Sequence, residues 1–253
     1  AGGDDNLNNG SAWVLGKQGY GLELDGREDH VNVTNAPSLQ ITGDLTVEAW
    51  IKRSSTGHPS KGIVTKWAPR SYALAVNGVN DDVVFQVTTN GAWTADVKTQ
   101  IYSPTNSVNS TTDWYHIVGT YKGVANGTSI MNLYINGIKV AGATDAVYPI
   151  YSGSADVQIG SFVTDSLNAT IDEVRIYKRT LSEDEVRRHY LDGINATLKP
   201  YVDSAGNVNM TRNLTVDTNT LFVDAESNRV GIGTDSPAQL LHIEKNQAAH
   251  TRL

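Results

Sequence analysis

Three carboxylates lie within six residues of one another: Glu23, Asp25 and Glu28. Retaining hydrolysis of a glycosidic bond needs two carboxyl groups roughly 5–5.5 Å apart on one face, which a strand provides at positions four or five apart around a bulge. Here Asp25 precedes Gly26, a pair typical of a turn, so Glu28 is expected to swing away from Glu23. The residues therefore favour a protein that is not an enzyme.

A second group of residues suits the recognition of a sugar. Trp67, Arg70, Tyr72 and Trp93 lie among polar residues. An aromatic face stacks on the C–H face of a sugar ring, while polar neighbours bind its hydroxyl groups. We therefore predict that these four residues bind a ligand. The same residue types are enriched at the rims of subunit contacts, and this alternative stays open.

Several other classes of chemistry have no support in the sequence. It has no glycine-rich phosphate loop, no His-Glu-X-X-His and no Gly-X-Ser-X-Gly. The absence of Cys excludes disulfides, thiolate metal sites and cysteine nucleophiles. With 20 Lys+Arg against 27 Asp+Glu and a net charge of -7, nucleic-acid binding is not expected. The sequence contains no apolar run of about 18 residues, so no membrane span is predicted.

The elements that must position these residues are mainly strands. Short runs of β-branched and aromatic residues recur between Tyr20 and Tyr177, each bounded by Gly, Asn, Asp or Pro. Ten or more strands at this spacing predict an all-β sandwich or barrel. In the run 45–52, alternate residues from Val47 fall on one face of a strand. The pair Asn136-Gly137 predicts a tight hairpin turn.

One helix is expected after the strands, over Glu183–Leu191. Ser182 and Glu185 have the spacing of a capping box. Val186 and the tyrosine one turn later are expected to lie against the edge of the sandwich. Gly193 can adopt the left-handed conformation that ends a helix. The helix is thus expected to be short and to close the strand-rich part of the chain.

The composition changes after about Ala196, and we place a boundary between residues 1–197 and 198–253. The second part has only Tyr201 and Phe222 as aromatic residues. Short extended runs are predicted about every ten residues, at 207–210, 213–217, 220–224, 229–232 and 240–244. So few large apolar groups cannot offset an ordering entropy of roughly 1–2 kcal/mol per residue in a single copy. Disorder is one outcome, but strand-like spacing without charge blocks favours self-association.

The region from about Gly16 to Leu191 resembles the laminin-G-like branch of the concanavalin A-like lectin/glucanase superfamily. The resemblance implies an antiparallel β-sandwich of the jelly-roll type, with two curved sheets packed face to face. Four stretches carry it in the family's order: Gly19–Val31, Leu45–Ile51, Trp114–Tyr121 followed by Leu133–Gly137, and Ile171–Ser182.

The resemblance also implies a structural Ca²⁺ that ties the opening strand to the last one. Asp25, Asp29 and Asp172 match the positions of its ligands, since Ca²⁺ prefers carboxylate and carbonyl oxygens. These carboxylates can instead accept hydrogen bonds in turns. Glycanases of this superfamily carry a Glu-X-Asp-X-X-Glu strand, and residues 23–28 satisfy that spacing literally.

Residues from Leu221 to Ile243 resemble a repeat of phage tail fibres and related spikes, where such segments interlace as trimers. Together these features predict a non-enzymatic tail-fibre or spike module that attaches to a surface glycan or protein, outside cells or on a virion. A structural subunit of a cellular or secreted filament is the second interpretation, and a glycan hydrolase is the third. Repeated Asn-X-Ser/Thr triplets fit an extracellular surface, although an Asn- and Thr-rich chain also generates them by chance.

Overall fold

The structure is a computed structural model that describes residues 11–57, 61–92, 94, 98–162, 165–194, 201–202, 208–209, 214–216, 221–224, 227–234 and 236–243. The chain divides into two compact units, Ala1–Gly193 and Ile194–Leu253. In the first unit, two antiparallel sheets enclose one apolar core. The predicted β-sandwich is confirmed.

Within the described residues the two sheets have seven and six strands. The seven-stranded sheet has the spatial order β1 (Ala12–Leu15), β2 (Tyr20–Asp25), β15 (Asn168–Tyr177), β4 (Leu45–Arg53), β9 (Tyr115–Lys122), β10 (Ser129–Ile135) and β11 (Ile138–Ala146). The six-stranded sheet has the order β3 (Val31–Val33), β12 (Val157–Ile159), β5 (Lys61–Trp67), β6 (Arg70–Asn77), β7 (Asp82–Thr88) and β8 (Lys98–Tyr102). A short 3-10 helix spans Pro37–Leu39, and β13 (Ser161–Phe162) pairs with β14 (Asp165–Ser166).

The strand β4 shows how alternation builds the core. Val47, Ala49 and Ile51 belong to the apolar cluster between the sheets. Glu48 and Trp50 lie on the opposite face, and they too are buried. The predicted inner face is therefore confirmed, and the outer face must be covered by another element.

That element is the helix α1 (Glu183–Ile194). Its capping box forms as predicted, because the backbone N–H of Glu185 donates to Ser182 Oγ at 3.2 Å and that of Ser182 to Glu185 Oε2 at 2.9 Å. Val186 is buried against Val118 of β9 and Tyr134 of β10. The helix therefore covers a face of the seven-stranded sheet, and the prediction that it lies at an edge is wrong.

Gly193 does not end the helix, because α1 continues through it to Ile194. A Cβ atom at Gly193 would lie 2.2 Å from Cζ2 of Trp50. The residue is glycine because the helix backbone and the indole ring approach each other closely. The prediction that Gly193 ends the helix in a left-handed conformation is therefore wrong. Close packing against Trp50 explains the glycine instead.

Two turns agree with the sequence analysis. Asn136 and Gly137 both have positive φ, 53° and 76°, and they join β10 to β11 as the predicted tight hairpin. At the other turn β2 ends at Asp25 and Gly26 has a φ of 83°. Glu28 consequently lies outside the strand that carries Glu23.

The described part of the second unit consists of short strands. A two-stranded pair and a four-stranded sheet contain, in chain order, β16 (Tyr201–Val202), β17 (Val208–Asn209), β18 (Leu214–Val216), β19 (Leu221–Asp224), β20 (Arg229–Ile232) and β21 (Leu241–Ile243). Each of the last five lies within a run that the sequence predicts to be extended. Of the helices in the described part of the chain, none has the length and apolar character that a membrane crossing requires.

Candidate functional site

The predicted aromatic site lies at the hairpin between β5 and β6. Trp67 pairs with Arg70 across the turn, and Arg70 Cζ lies 5.0 Å from the centroid of the Trp67 ring. The ring of Phe162 meets the same indole edge-on at 5.1 Å. The structure therefore brings Trp67 and Arg70 together, and it adds Phe162, which the sequence analysis does not single out.

The other two residues of that prediction do not extend this surface. Tyr72 lies in the core, and its side chain has no accessible surface. Burial raises its pKa well above the ordinary value of a tyrosine. Strand alternation places it on the inner face of β6 with Leu74, so it packs the core and is not available to a ligand. Trp93 lies outside the described residues.

The predicted calcium ligands fall in two places. The strand β2 pairs with β15, and Asp25 faces Asn168 in that register. Asp172 is four residues further along β15, about 13 Å away at the usual rise per residue. Its carboxylate accepts hydrogen bonds from the backbone N–H groups of Gln18 and Glu173, at 2.8 and 2.7 Å. Asp172 is therefore too far from Asp25 to share one ion with it.

Asp25 and Asp29 do lie together. One carboxylate oxygen of Asp29 accepts a hydrogen bond from the backbone N–H of Asp25 at 3.0 Å, whereas Oδ1 is buried and has no partner in the part of the chain that the structure describes. Burial raises the pKa of Asp29, and the adjacent carboxylate of Asp25 raises it further. The two carboxylates would supply some of the oxygen ligands that a hard cation such as Ca²⁺ requires. Among the described residues, no group of three or more His, Asp or Glu side chains has the arrangement of a metal site.

A polar cleft of about 130 Å³ opens beside this turn, at one end of the sandwich. Asp25, Arg53, Lys61, Ser166 and Asn168 contribute charged and polar groups to its lining. They come from the ends of β2, β14 and β4 and from the starts of β5 and β15, so strand order brings together residues that are distant in the sequence. Such convergence of donors and acceptors on one concavity is typical of a binding site for a small polar ligand.

Arg53 is the most buried charged residue in this lining, with 3% of its surface exposed. Its Nη1 donates to Asp81 Oδ1 at 2.6 Å and to the carbonyl oxygen of Val108 at 2.7 Å. Its Nε is buried and has no hydrogen-bond partner within the described residues. The two bonds of Nη1 therefore anchor the side chain in the wall of the cleft.

The cleft and the aromatic hairpin are separate sites. Lys61 begins β5 and Trp67 ends it, so about 20 Å separates them at the usual strand rise. No motif in the sequence assigns Arg53 or Lys61 to a site. A signal was available for Arg53, because the alternation that places Val47 and Ile51 on the inner face also places residue 53 there.

A second cluster of polar side chains lies between β4 and α1. Glu48, which has no accessible surface, accepts hydrogen bonds from Arg175 Nη1 at 2.9 Å and from the hydroxyl of Tyr177 at 3.1 Å. His189 Nδ1 lies 2.9 Å from the other carboxylate oxygen of Glu48, and His116 Nε2 lies 3.8 Å from it. Despite the cost of burial, the interactions with His116, His189 and Arg175 lower the pKa of Glu48 to about 2.

Aromatic rings complete the contact between α1 and the sheet. Trp50 stacks on His116 with the ring centroids 5.0 Å apart, and on Tyr190 of the helix at 5.7 Å. Lys17 Nζ lies 4.7 Å from the centroid of the indole. Trp50 and His116 are both buried, with 1% of their surface exposed. We therefore assign this cluster to the attachment of the helix and not to a ligand site.

Comparison with known families supports the same fold. The family model for the concanavalin A-like lectin/glucanases superfamily matches residues 25–187. No curated protein matches the chain in sequence.

Three solved structures illustrate the similarity in fold. The binding domain of Paraclostridial Mosquitocidal Protein 1 aligns with a TM-score of 0.60 at 18% identity, over 76% of this chain and 48% of that one. Domain 4 of AbnA, an extracellular arabinanase from Geobacillus stearothermophilus in complex with arabinotriose, aligns with a TM-score of 0.54 at 19% identity, over 73% of this chain and 82% of that one. The ligand binding domain of botulinum neurotoxin serotype D, in complex with N-acetylneuraminic acid, aligns with a TM-score of 0.57 at 17% identity, over 92% of this chain and 58% of that one. The chain thus spans about half the length of the first of these structures.

Proposed function

Because the chain belongs to the concanavalin A-like lectin/glucanases superfamily, we propose that it is a non-enzymatic module that binds a carbohydrate. The observation that carries the proposal is the polar cleft, where the strand order brings polar and charged groups of Asp25, Ser166 and Asn168 to one concavity. Sugar hydroxyl groups both donate and accept, so they suit a lining with Asp25 as acceptor and Asn168 as both. The arabinotriose and N-acetylneuraminic acid complexes of two proteins with this fold support the choice of ligand class.

A glycan array probed with the full chain, followed by calorimetric titration of the glycans it retains, tests this proposal. Ser55 lines the cleft, whereas Ser54 beside it does not. We expect Ser55→Trp to fill the cleft and abolish binding, and Ser54→Trp to preserve it. Retention of no glycan, or equal binding by both variants, would refute carbohydrate recognition in the cleft.

The carboxylates near the cleft favour binding over hydrolysis. Glu23 lies on β2, whereas Glu28 follows the turn at Gly26, so the two do not share a strand face. Release of reducing sugar from a β-glucan, with loss of that activity in Glu23→Gln, would instead support a hydrolase.

We further propose that the second unit assembles copies of the chain into a trimeric stalk, so that the sandwiches act as the heads of a phage or virus tail fibre or spike. Several large side chains there are exposed, with accessible fractions of 76% for Leu240, 57% for Leu241 and 65% for Ile243. Exposed apolar side chains so close together are typical of a contact surface. Three heads on one stalk would engage a virion's target together, so that weak single contacts add up.

A structural subunit of a cellular surface or secreted filament is the second candidate, since the same exposed side chains would also serve open-ended assembly. Electron microscopy of the full chain separates the two candidates. Extended filaments without glycan affinity favour the structural subunit, whereas discrete trimers that bind polysaccharide favour attachment outside cells or at a virion surface.

We also propose that the chain binds a Ca²⁺ ion at the turn after β2. Asp25 and Asp29 would hold the ion together with backbone carbonyl oxygens, and the ion would neutralise Asp29 Oδ1, which has no partner among the residues described. Asp172 lies too far along β15 to contribute. The ion would stabilise the turn after β2 and thereby one side of the cleft.

A further inference from the structure

We infer that copies of the chain associate through one face of the four-stranded sheet in the second unit, and that this face packs against the same face of other copies. The inference rests on the proposed assembly through the second unit, and it adds the face and its partner. It follows from the different covering of the two faces of that sheet.

The register of β19, β20 and β21 places aliphatic residues on one face of the sheet. Val223 pairs with Val230, Val230 with Leu241, and Ile232 with Ile243. Paired residues share a face of a sheet, and so do alternate residues of one strand. We call these five residues the aliphatic face. None of them is buried, and the accessible fractions are 40% for Ile232, 57% for Leu241 and 65% for Ile243.

The other face of this sheet is covered by the segment that connects β20 to β21. Arg229 Nη1 donates to the carbonyl oxygen of Pro237 at 3.0 Å, and the backbone N–H of Ala238 donates to His242 Nδ1 at 3.3 Å. A Cβ atom at Gly231 would lie 2.3 Å from a backbone oxygen of the same segment. The chain therefore covers the face that carries Arg229 and His242, and it leaves the aliphatic face open.

The second unit lacks an apolar core of its own in the part that the structure describes. Both apolar clusters among the described residues consist of side chains from the first unit. Of the Val, Leu and Ile side chains described in the second unit, none is buried. A sheet of short strands becomes stable when one of its faces packs against another apolar surface. The aliphatic face therefore requires a partner.

Another copy of the chain supplies a partner of the required chemistry. Aliphatic side chains neither donate nor accept hydrogen bonds, so the surface that covers them must be apolar, as the same face of another copy is. Charge also favours this contact. Residues 198–253 contain 5 Lys and Arg and 6 Asp and Glu, a net charge of -1, whereas residues 1–197 contain 15 and 21, a net charge of -6. Copies that meet through the second unit therefore repel each other less than copies that meet through the sandwich.

A carboxylate introduced on the aliphatic face tests the inference. We expect the full chain to be an oligomer, and Ile243→Asp and Leu241→Asp to reduce its mass in light scattering to that of one copy, because a buried carboxylate without a partner is costly. Gln239→Asp is the matched control, since it adds the same charge at an exposed residue outside the aliphatic face, and it should leave the oligomer intact. An unchanged mass in both aliphatic-face variants would overturn the inference and leave the proposed assembly to another surface. A monomeric wild-type chain would refute both.

Cross-linking gives a second measurement that introduces no charge. The chain has no Cys, so a single introduced thiol reports only its own neighbours. A short trifunctional maleimide should join copies of Ile243→Cys into covalent oligomers on a denaturing gel. Gln239→Cys should give about tenfold less of this product, because a short linker joins only thiols that lie close together. Equal yields from the two variants, or no covalent oligomer of Ile243→Cys, would contradict the packing of like faces.

Discussion

The carboxylate of Glu48 lies 2.9 Å from Nδ1 of His189, which joins a central strand of the seven-stranded sheet to the helix that covers it. Glu48 also binds Arg175 and Tyr177 and has no contact with solvent. The contact unites residues that are 141 positions apart in the sequence. One buried charge therefore contributes to the attachment of α1, beside the apolar contacts of Val186 and the stacking of Tyr190 on Trp50.

Replacing that charge should destabilise the fold and change its response to acid. Because the pKa of Glu48 is lowered to about 2 from 4.5, its contribution is complete above about pH 4.5 and is lost as the pH falls toward 2. We expect Glu48→Gln to lower the free energy of unfolding by about 3 kcal/mol at pH 7, and by progressively less below pH 4.5. Urea denaturation between pH 2 and 7 measures both effects.

The exposed Glu23 on β2 provides the control for this prediction. Glu23→Gln should leave the free energy of unfolding within about 0.5 kcal/mol of the wild type at every pH. A Glu48→Gln curve parallel to that of the wild type below pH 4.5 would contradict the proposed role of the charge.

Gly193→Ala should destabilise the first unit. The added methyl group would lie 2.2 Å from the buried ring of Trp50, and neither the helix backbone nor the indole can move freely. We expect a loss of about 1–3 kcal/mol, or about 3–10 °C in melting temperature by calorimetry. Gly43→Ala, where a Cβ meets nothing within 4 Å, should change the melting temperature little. Equal melting of both variants would mean that the helix does not pack on Trp50.

Calcium should stabilise the chain through the turn after β2. We expect millimolar CaCl₂ to raise the melting temperature by several degrees relative to EDTA, because a ligand of the folded state shifts the equilibrium toward it. Asp25→Asn and Asp29→Asn should each abolish that increase. Asp172→Asn should lower the melting temperature in both conditions but keep the increase. Loss of the calcium effect in Asp172→Asn would instead support a site that includes all three carboxylates, as the sequence resemblance implies.

Removal of residues 198–253 should convert an oligomer into monomers. The truncation removes the proposed contact surface, which contains the exposed Leu240, Leu241 and Ile243. Light scattering after size exclusion should give about three times the chain mass of 27.3 kDa for the full chain, and a single copy for residues 1–197. A monomeric full chain would contradict the trimeric stalk and the attachment role that depends on it.

The aromatic hairpin remains a predicted second contact for glycans. Trp67→Ala should weaken binding to a long polysaccharide about three- to tenfold, since two sites on one module act together. It should not change binding of a short oligosaccharide in the cleft, about 20 Å away along β5. If Trp67 lies instead at the rim of a subunit contact, light scattering of Trp67→Ala will show a changed oligomeric state with unaltered binding to both ligands.

Local patterns in the sequence determined the class of fold and many of its details. The alternation around Val47, the Asn136-Gly137 turn and the pairing of Ser182 with Glu185 each depend on residues a few positions apart. Interactions of that range are legible in a linear sequence because strand, turn and cap geometry repeat from protein to protein. The short strands of the second unit were predictable for the same reason.

Only the tertiary structure decided which distant residues meet. The register of β2 against β15 separates Asp25 from Asp172, and close approach to Trp50 explains Gly193. Strand order also brings Arg53 and Lys61 from opposite sheets to one cleft, whereas Tyr72 is turned into the core. These outcomes depend on pairing register and sheet packing, which arise from the sum of many contacts between residues far apart in the sequence and leave no periodic signal in it.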